Sequence, residues 1–204
     1  MAKVSHEQAA ANRKTLVTAA GSLLRQKGMD GVGVAELCKA AGMTHGALYS
    51  HFASKEELLT EAFAEGQSAS RARMQAAIGK EPELGAILDF YVSKRHRDDM
   101  ANCCPMLASA SEAARQSASL RKGFARAFED LVEMVGQAAG DGGDERANFI
   151  AASMIGVVAV ARALRVPDPS RSEKLIKAAR QALAALTPDP LEPAPRANAK
   201  TKPR

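Results

Sequence analysis

One short stretch of the chain, residues 34–52, collects hydroxyl, imidazole and phenol groups between small residues. These groups do not form the set of nucleophile, base and orienting group that covalent catalysis needs. The 4 histidines of the chain are too scattered for a metal site. The same side chains can donate to phosphate oxygens and base edges, which is the chemistry of DNA binding. We therefore expect double-stranded DNA as a partner, and no catalytic residue, metal or cofactor.

Two short helices must position these groups. The first is predicted from Val34 and ends at Gly42, and the second spans Thr44 to Phe52. Leu48 and Phe52 are four residues apart on the second helix, so both must face inward. A helix, a tight turn and a second helix have the dimensions of a helix-turn-helix unit, whose second helix enters the major groove.

The candidate DNA contacts lie on the exposed side and the N-terminal end of the second helix. Thr44 is expected to cap the helix and to offer its hydroxyl to a phosphate, and Tyr49 to donate to another. His45 is the expected reader of a base edge. The predicted set is Thr44, His45, Gly46, Ala47, Tyr49, Ser50, His51 and Lys55.

The sequence AELCKAAGMTHGALYSHFASKEELLTEAF resembles the DNA-binding domain of TetR-family transcriptional repressors, of the TetR/AcrR type. The family pattern A-G-[VM]-[ST]-x-G-x-[LIF]-Y-x-[HY]-F-x-[SN]-K-x-x-L is in register from Ala41 to Leu58, and the resemblance covers residues 12–65. Family members usually place Ser or Thr before the first of the two helices, where this chain has Val32-Gly33-Val34. The resemblance therefore adds Gly33 to the DNA-binding set, with a backbone N–H in place of the hydroxyl.

Apolar residues recur at helical spacing along nearly the whole chain, which predicts an all-α protein of about nine helices. Three regions are predicted: a helix-turn-helix DNA-binding domain over 1–54, a helical effector-binding and dimerisation domain over 55–186, and a disordered, Pro-rich basic tail over 187–204. Within the second domain, Pro105 is predicted to begin a short helix over about 105–116. The last helix is predicted over about 172–186.

The resemblance implies that helices five to seven enclose a ligand pocket and that the last two helices pair with a second copy of the chain. The residues predicted to line the pocket are mostly apolar, which favours a small hydrophobic or amphipathic effector. They are Phe90, Tyr91, Cys103, Cys104, Met106, Leu107, Phe124, Phe128 and Met154. The residues predicted at the dimer interface are Ala151, Ala152, Ile155, Gly156, Ala159, Leu175, Ile176, Ala179 and Leu183. An intramolecular core would produce much the same pattern.

The stretch Tyr91–Arg115 is similar to a subset of the family with an H-R-D-x4-[GN]-C-P-[LMV] block at the start of the sixth helix. Cys104 occupies the cysteine position of that block, directly before Pro105. A helix N-terminus lowers a thiol pKa, and basic residues 95–97 would add positive potential if the loop folds back. Cys103 or Cys104 is therefore either a thiolate that senses electrophiles or oxidants, or a small apolar group lining the pocket.

The net charge of +5 permits nucleic-acid binding, and the chain contains 3 cysteines and no Trp. We expect a cytoplasmic protein, associated with the nucleoid when bound to DNA, with no membrane partner. The predicted function is a homodimeric, sequence-specific repressor released from a palindromic operator by a small hydrophobic or electrophilic effector. The alternatives are a transcriptional activator of the same fold and a non-specific, architectural DNA-binding protein. An enzyme is not expected.

Overall fold

The structure, a computed structural model, describes residues 6–140 and 144–186. Within these ranges the chain forms ten α-helices and one 3-10 turn and no strand, which confirms the predicted all-α class. The predicted tail over 187–204 lies outside the described residues. The elements are α1 (His6–Lys27), α2 (Val34–Ala41), α3 (His45–His51), α4 (Lys55–Ile78), α5 (Leu84–Tyr91), α6 (Lys94–Asp98), α7 (Pro105–Ser109), the 3-10 turn η1 (Ala113–Arg115), α8 (Ala118–Ala139), α9 (Asp144–Leu164) and α10 (Pro169–Ala184).

Helices α1 to α3 form the predicted three-helix unit. Gly42 ends α2 with a φ of 66°, a left-handed conformation that a residue with a Cβ rarely adopts. The turn that follows brings α3 back across α2, and Leu48 and Phe52 are 0% and 1% exposed. Both inward-facing predictions on α3 are therefore confirmed.

A capping box begins α4, as the sequence pattern predicts. The Ser54 hydroxyl accepts a hydrogen bond from the Glu57 N–H at 3.1 Å, and the Glu57 carboxylate accepts one from the Ala53 N–H at 2.7 Å. From there α4 continues to Ile78 and packs against both α1 and α8. One helix thus runs from the end of the helix-turn-helix into the second half of the molecule.

The helix predicted over 105–116 is interrupted. Helix α7 ends at Ser109, and the chain turns so that Glu112 accepts a hydrogen bond from the Met29 N–H at 2.5 Å. This long-range contact accompanies the break, and in it the Glu112 carboxylate satisfies a backbone N–H of the loop that follows α1. The last helix, predicted over about 172–186, is α10, which begins earlier at Pro169, where the missing N–H costs nothing.

Helix α9 lies in the core between α8 and α10. Within the described ranges it contains the one stretch, Glu145–Leu164, that is long and apolar enough to cross a membrane by length and composition. Ile150, Met154 and Val158 of this helix are 0% exposed and pack inside the protein. These burial values are those of a core helix, which also has an outward-facing side.

The segment 96–104 crosses the middle of the molecule and is held by arginines from three helices. Arg162 of α9 donates to the carbonyls of Arg97 at 3.0 Å and His96 at 3.2 Å. Arg25 of α1 and Arg73 of α4 donate to the next carbonyls of the segment, those of residues 101 and 102. Charged donors on backbone carbonyls make comparatively strong hydrogen bonds, so the arginines fix this irregular segment against the surrounding helices.

Candidate nucleic-acid interface and effector cavity

The N-terminal end of α3 presents the predicted DNA-binding groups outward. The Thr44 hydroxyl accepts a hydrogen bond from the Ala47 N–H at 3.2 Å, which caps the helix and leaves the hydroxyl proton for a phosphate. His45, Gly46 and Tyr49 are exposed, with Tyr49 51% exposed. The Tyr49 hydroxyl is therefore available to donate to a phosphate oxygen.

Three other predicted residues are less available to DNA. Ser50 donates its hydroxyl proton to the Ala47 carbonyl at 2.7 Å, and Lys55 donates to the Val32 carbonyl at 3.3 Å. His51 is the last residue of α3 and is half-buried. Lys55 still has protons for a phosphate, but it also holds the loop before α2.

Gly33 is the N-cap of α2, and no side chain caps this helix. A Cβ at Gly33 would meet nothing within 4 Å, and a Cβ at Gly46 would meet only the Thr44 hydroxyl at 4.0 Å. The backbone at both positions is therefore open to close approach from outside, as the sequence analysis expects.

A cavity of about 600 Å³ lies between α4, α5, α7 and α8. Its size is in the range of small-molecule sites. Most of its wall comes from one face of α4 and the facing side of α8, and the remainder comes from α5 and the start of α7. The lining residues are Thr60, Phe63, Ala64, Gln67, Ser68, Ser70, Arg71, Met74, Phe90, Tyr91, Cys104, Met106, Ser119, Lys122, Gly123, Arg126, Ala127, Asp130, Leu131 and Met134.

Four predicted pocket residues, Phe90, Tyr91, Cys104 and Met106, line this cavity. The other five do not, and the reason is that the core takes up their apolar side chains. Cys103, Leu107 and Met154 are buried at 0%, 7% and 0% exposure in the main apolar cluster. Phe124 and Phe128 pack against the same cluster from α8. The cavity face of α8 is instead the neighbouring stripe, which includes Ser119, Lys122, Arg126 and Asp130.

The lining residues of α4 were not among the pocket residues predicted from the sequence. Thr60, Phe63, Gln67, Arg71 and Met74 recur at helical spacing and share one face of the helix. This periodicity is visible in the sequence once the capping box has placed the start of α4. Because the stripe mixes polar and apolar residues, it does not resemble a core face.

The mouth of the cavity is basic. Arg71 of α4 and the α8 residues Lys122 and Arg126 line it, against one carboxylate, Asp130, which lies 3.7 Å from Arg71. The wall of the cavity is mostly apolar, as expected, and these charged residues are the part of it that the sequence did not predict. A basic mouth attracts the anionic end of a ligand.

At the inner end of the cavity, His96 links Tyr91 to Cys104. The His96 ring has Nδ1 at 2.9 Å from the Tyr91 carbonyl, and its Nε2 accepts from the Cys104 N–H at 3.2 Å. Burial lowers the pKa of His96 to about 4, so the ring is neutral at physiological pH. The loop folds back onto Cys104, which was the condition for added positive potential, but it adds no positive charge through His96.

Of the two alternatives for Cys104, the structure supports the small buried group that lines the pocket rather than the thiolate. Burial raises the pKa of the Cys104 thiol to about 11, and the hydrogen bonds from the start of α7 do not reverse this shift. The thiol donates to the Gln67 side-chain oxygen at 3.3 Å. Cys103 lies beside a different group, with its sulfur 3.7 Å from the Arg162 guanidinium. Both cysteines are free and buried.

The predicted dimer residues fall on two sides of α9 and α10. Ala151, Ile155, Ile176 and Leu183 are buried inside the chain, so these four do not form an outward surface. Ala152 and Gly156 are exposed, and Ala159, Leu175 and Ala179 are half-buried. The exposed residues of α9 form a continuous apolar stripe, made of Phe149, Ala152, Gly156, Val160 and Ala163.

Comparisons with known proteins agree with this arrangement. The family model of bacterial regulatory proteins of the tetR family matches residues 16–62. A curated relative, the HTH-type transcriptional regulator AcrR of Shigella flexneri, is 36% identical over 61 residues, which are 30% of this chain. The matched part spans 28% of that relative's length.

Solved structures resemble nearly the whole chain. NemR of E. coli in its reduced form has a TM-score of 0.70 at 21% identity, covering 87% of this chain and 98% of that one. A TetR transcriptional regulator from Chloroflexus aurantiacus has a TM-score of 0.69 at 23% identity, with coverages of 88% and 95%. A TetR-family regulator from Cytophaga hutchinsonii has a TM-score of 0.66 at 21% identity, with coverages of 90% and 98%. At these identities the likeness establishes the fold.

Proposed function

We propose that this chain is a TetR-family bacterial transcriptional regulator and that it acts as a homodimeric repressor, which a small effector releases from a palindromic operator. Residues 1–54 would bind DNA, and residues 55–186 would bind the effector and the second copy. The protein would act in the cytoplasm and associate with the nucleoid while bound to DNA. The regulatory family of the N-terminal match argues against an enzyme.

The observation that carries the proposal is the surface of α3. Leu48 and Phe52 fix its inner side, while Thr44, His45 and Tyr49 point outward from a capped N-terminal end. Phosphate donors beside one candidate base reader are the groups that a recognition helix needs in the major groove. Neutral donors of this kind give register on DNA, and His45 would give base preference.

The direct test is fluorescence anisotropy with the promoter-side DNA next to the chain's own gene, random duplex as competitor, and salt varied. We expect saturable binding of two protomers per site that survives the competitor. Tyr49→Phe should weaken binding on all sequences, whereas His45→Ala should relax preference at one symmetric position. Binding that random duplex abolishes would favour the architectural alternative, and activation of a reporter gene would favour the activator.

The exposed stripe on α9 supports the homodimer. Two recognition helices must lie about 34–36 Å apart to enter successive major grooves of a palindrome. Small residues allow two helices to approach closely, and a Cβ at Gly156 would meet nothing within 4 Å of the same chain. A second copy of the chain is the natural partner for this apolar face because an equal stripe on both copies is self-complementary.

Gly156→Glu tests the dimer without disturbing the monomer. We expect sedimentation analysis to show monomers and operator affinity to fall by at least about tenfold, since a charge would be buried at the interface. Gly85→Glu is the matched control, because Gly85 is also an exposed helical glycine whose Cβ would meet nothing within 4 Å. Dimers that persist with Gly156→Glu would place the interface elsewhere.

Helix α4 supports effector control of DNA binding. Its first residue, Lys55, contacts the loop before α2, and its Gln67 and Met74 line the cavity. Gly66, on the same helix, lies against Pro105 of α7. A ligand that separates α4 from α7 or α8 would also move the base of the helix-turn-helix, favouring a state that DNA disfavours. A hydrophobic or amphipathic effector fits the cavity better than an electrophile, because the Cys104 thiol is protonated.

A further inference from the structure

Two polar groups at the inner end of the cavity lack a partner among the described residues. The Tyr91 phenol oxygen and the Gln67 amide nitrogen are both buried, and neither has a hydrogen-bond partner of normal geometry, since the Tyr91 hydroxyl meets only the Cys104 sulfur. Both side chains line the cavity and both lie against Cys104. An unpaired buried polar group costs about 1–3 kcal/mol, so native structures rarely retain one without a reason.

The contact with Cys104 determines what these two groups offer. The thiol is protonated, because burial raises its pKa to about 11, and it donates its one proton to the Gln67 oxygen. The Gln67 NH₂ group is therefore left over as a donor. Tyr91 is also protonated, since burial raises its pKa well above the usual value, and the sulfur beside it is only a weak acceptor. Two donors thus converge on the inner end of the cavity.

A ligand group at this position must accept hydrogen bonds and carry no charge. The nearby imidazole of His96 is neutral, since burial lowers its pKa to about 4. A carboxylate at the inner end would have no cation among the residues that line this part of the cavity, and an unpaired buried charge is very unfavourable. A carbonyl oxygen has two lone pairs and no charge, so it fits both donors.

The mouth of the cavity, by contrast, favours a negatively charged group. Lys122, Arg126 and Arg71 face one carboxylate at the mouth, which leaves a positive surplus for an anionic group. Between mouth and inner end, the walls include Phe63, Met106 and other apolar side chains. From the mouth inward, these three parts of the cavity fit a ligand with an acidic group at one end, an apolar body and an uncharged hydrogen-bond acceptor at the other end.

We propose that the cavity binds an amphipathic organic acid whose apolar end carries an uncharged carbonyl oxygen, held between Gln67 and Tyr91, with the acid group beside Lys122 and Arg126. This proposal deepens the proposed function, and it rests on that function only in taking the cavity as the effector site. Gln67 and Tyr91 would then select the ligand, and the basic residues would orient it.

Calorimetry on the full-length chain tests the proposal with three probes used below their micelle concentrations. They are 11-oxododecanoate, dodecanoate and dodecyltrimethylammonium, which share chain length and differ in the carbonyl or the sign of charge. We expect the oxo acid to bind about tenfold more tightly than dodecanoate, as one satisfied pair of buried donors would give. The cation should bind most weakly.

Variants separate the inner donors from the basic mouth. Tyr91→Phe and Gln67→Met each remove one donor at nearly constant volume, and each should shrink the oxo-acid preference by lowering the affinity for the oxo acid more than the affinity for dodecanoate. The double variant Lys122→Gln, Arg126→Gln should weaken both acids equally and keep the preference. Lys177→Gln is the control, because Lys177 is an exposed residue of α10 and does not line the cavity. This variant should change neither the affinity for the acids nor the preference between them.

Several results would overturn the proposal: equal affinity for the two acids, a preference that survives both donor variants, tighter binding of the cation, or no binding of any probe. Operator binding measured on the same preparation separates this failure from failure of the proposed function. If the probes bind but the protein does not bind operator, the ligand proposal holds and the proposed function fails. If the protein binds operator but no probe, the proposed function holds and the ligand proposal fails.

Discussion

The helix-turn-helix and the cavity are stabilised by contacts of very different reach along the chain. The hydrogen bonds that cap α3 and α4 join residues 3 or 4 apart, as between Thr44 and Ala47 or Ser54 and Glu57, and one longer contact joins Lys55 to the Val32 carbonyl. At the cavity and in segment 96–104 the partners are more distant: 37 positions separate Gln67 from Cys104, and 65 separate Arg97 from Arg162.

This difference has a consequence for how each region responds to change. A local cap forms with its own helix turn, so losing it weakens one helix and leaves the rest of the fold intact. A contact between distant segments forms only when several helices are packed, so its loss is felt by all of them. We therefore expect the larger losses of stability around segment 96–104 and the smaller ones in the helix-turn-helix.

The largest effect is expected for Arg162→Met. Its guanidinium donates to two backbone carbonyls of segment 96–104, and their loss should lower the free energy of unfolding by about 3 kcal/mol. Arg165→Met is the control, because Arg165 makes only an exposed ion pair with Asp98 at 3.7 Å. That change should be below about 1 kcal/mol. If urea unfolding shows equal losses of unfolding free energy for the two variants, the contacts of Arg162 with segment 96–104 have no special role in stability.

Acidification should also destabilise segment 96–104, which contains His96, before it destabilises the helix-turn-helix. The pKa of His96 is lowered from 6.5 to about 4 in the folded chain. The neutral ring therefore contributes stability above pH 6.5, and this contribution is lost as the pH falls from 6.5 towards 4. By pH 5 the loss should be about 2 kcal/mol.

His96→Gln is the matched control for the pH measurement, since its amide offers one donor and one acceptor and does not titrate. The difference in unfolding free energy between pH 7.5 and pH 5 should be smaller for the variant than for the natural chain. A histidine NMR titration gives the same answer directly. A His96 ring that gains its proton near pH 6.5 in the folded protein would contradict the assignment.

A pair of glycine substitutions compares steric tolerance in the two regions. A Cβ at Gly66 would lie 2.9 Å from the Pro105 ring, and one at Gly46 would meet only the Thr44 hydroxyl at 4.0 Å. Gly66→Ala should therefore destabilise the protein by about 1–2 kcal/mol through overpacking. Gly46→Ala should leave stability unchanged or raise it by up to about 1 kcal/mol, because alanine favours the helix. Thermal unfolding of both variants checks the contrast, and a neutral Gly66→Ala would break it.

The smallest effect is expected for Thr44→Ala. Removing the cap should lower the free energy of unfolding by about 1 kcal/mol, while Thr44→Ser should restore it. The cap also faces outward, so operator affinity should fall more than stability alone explains. A loss of stability as large as that of Arg162→Met would mean that the helix-turn-helix is not locally stabilised.

The same difference in reach explains what the sequence could predict. Gly42, Thr44 and the Ser54–Glu57 pair are local signals, and each determines a helix end without reference to the rest of the chain. The helix-turn-helix was therefore predicted with its inward and outward faces. Helix α6 was missed because it has only 5 residues, too few for a periodic pattern, although Ser93 caps it.

Periodicity gave the faces of the long helices but not what each face contacts. On α8 the bulky residues Phe124 and Phe128 belong to the core, and the adjacent stripe with Lys122 and Arg126 lines the cavity. On α9, buried Ala151 and exposed Ala152 are neighbours of the same type. Side-chain chemistry cannot separate such stripes, because their surroundings come from helices far away in the sequence.

The three cysteines are buried and form no disulfide, so their reaction with a thiol reagent can report local opening of the fold. Cys38 lies in the helix-turn-helix, and Cys103 and Cys104 lie in the central segment. Cys104 also lines the cavity, so a thiol reagent can reach it from there. Cys38 and Cys103 can be reached only when their surroundings open, so their rates of labelling report how often each region opens. No engineered label is needed, and the cysteines of the two regions report separately how often each region opens transiently.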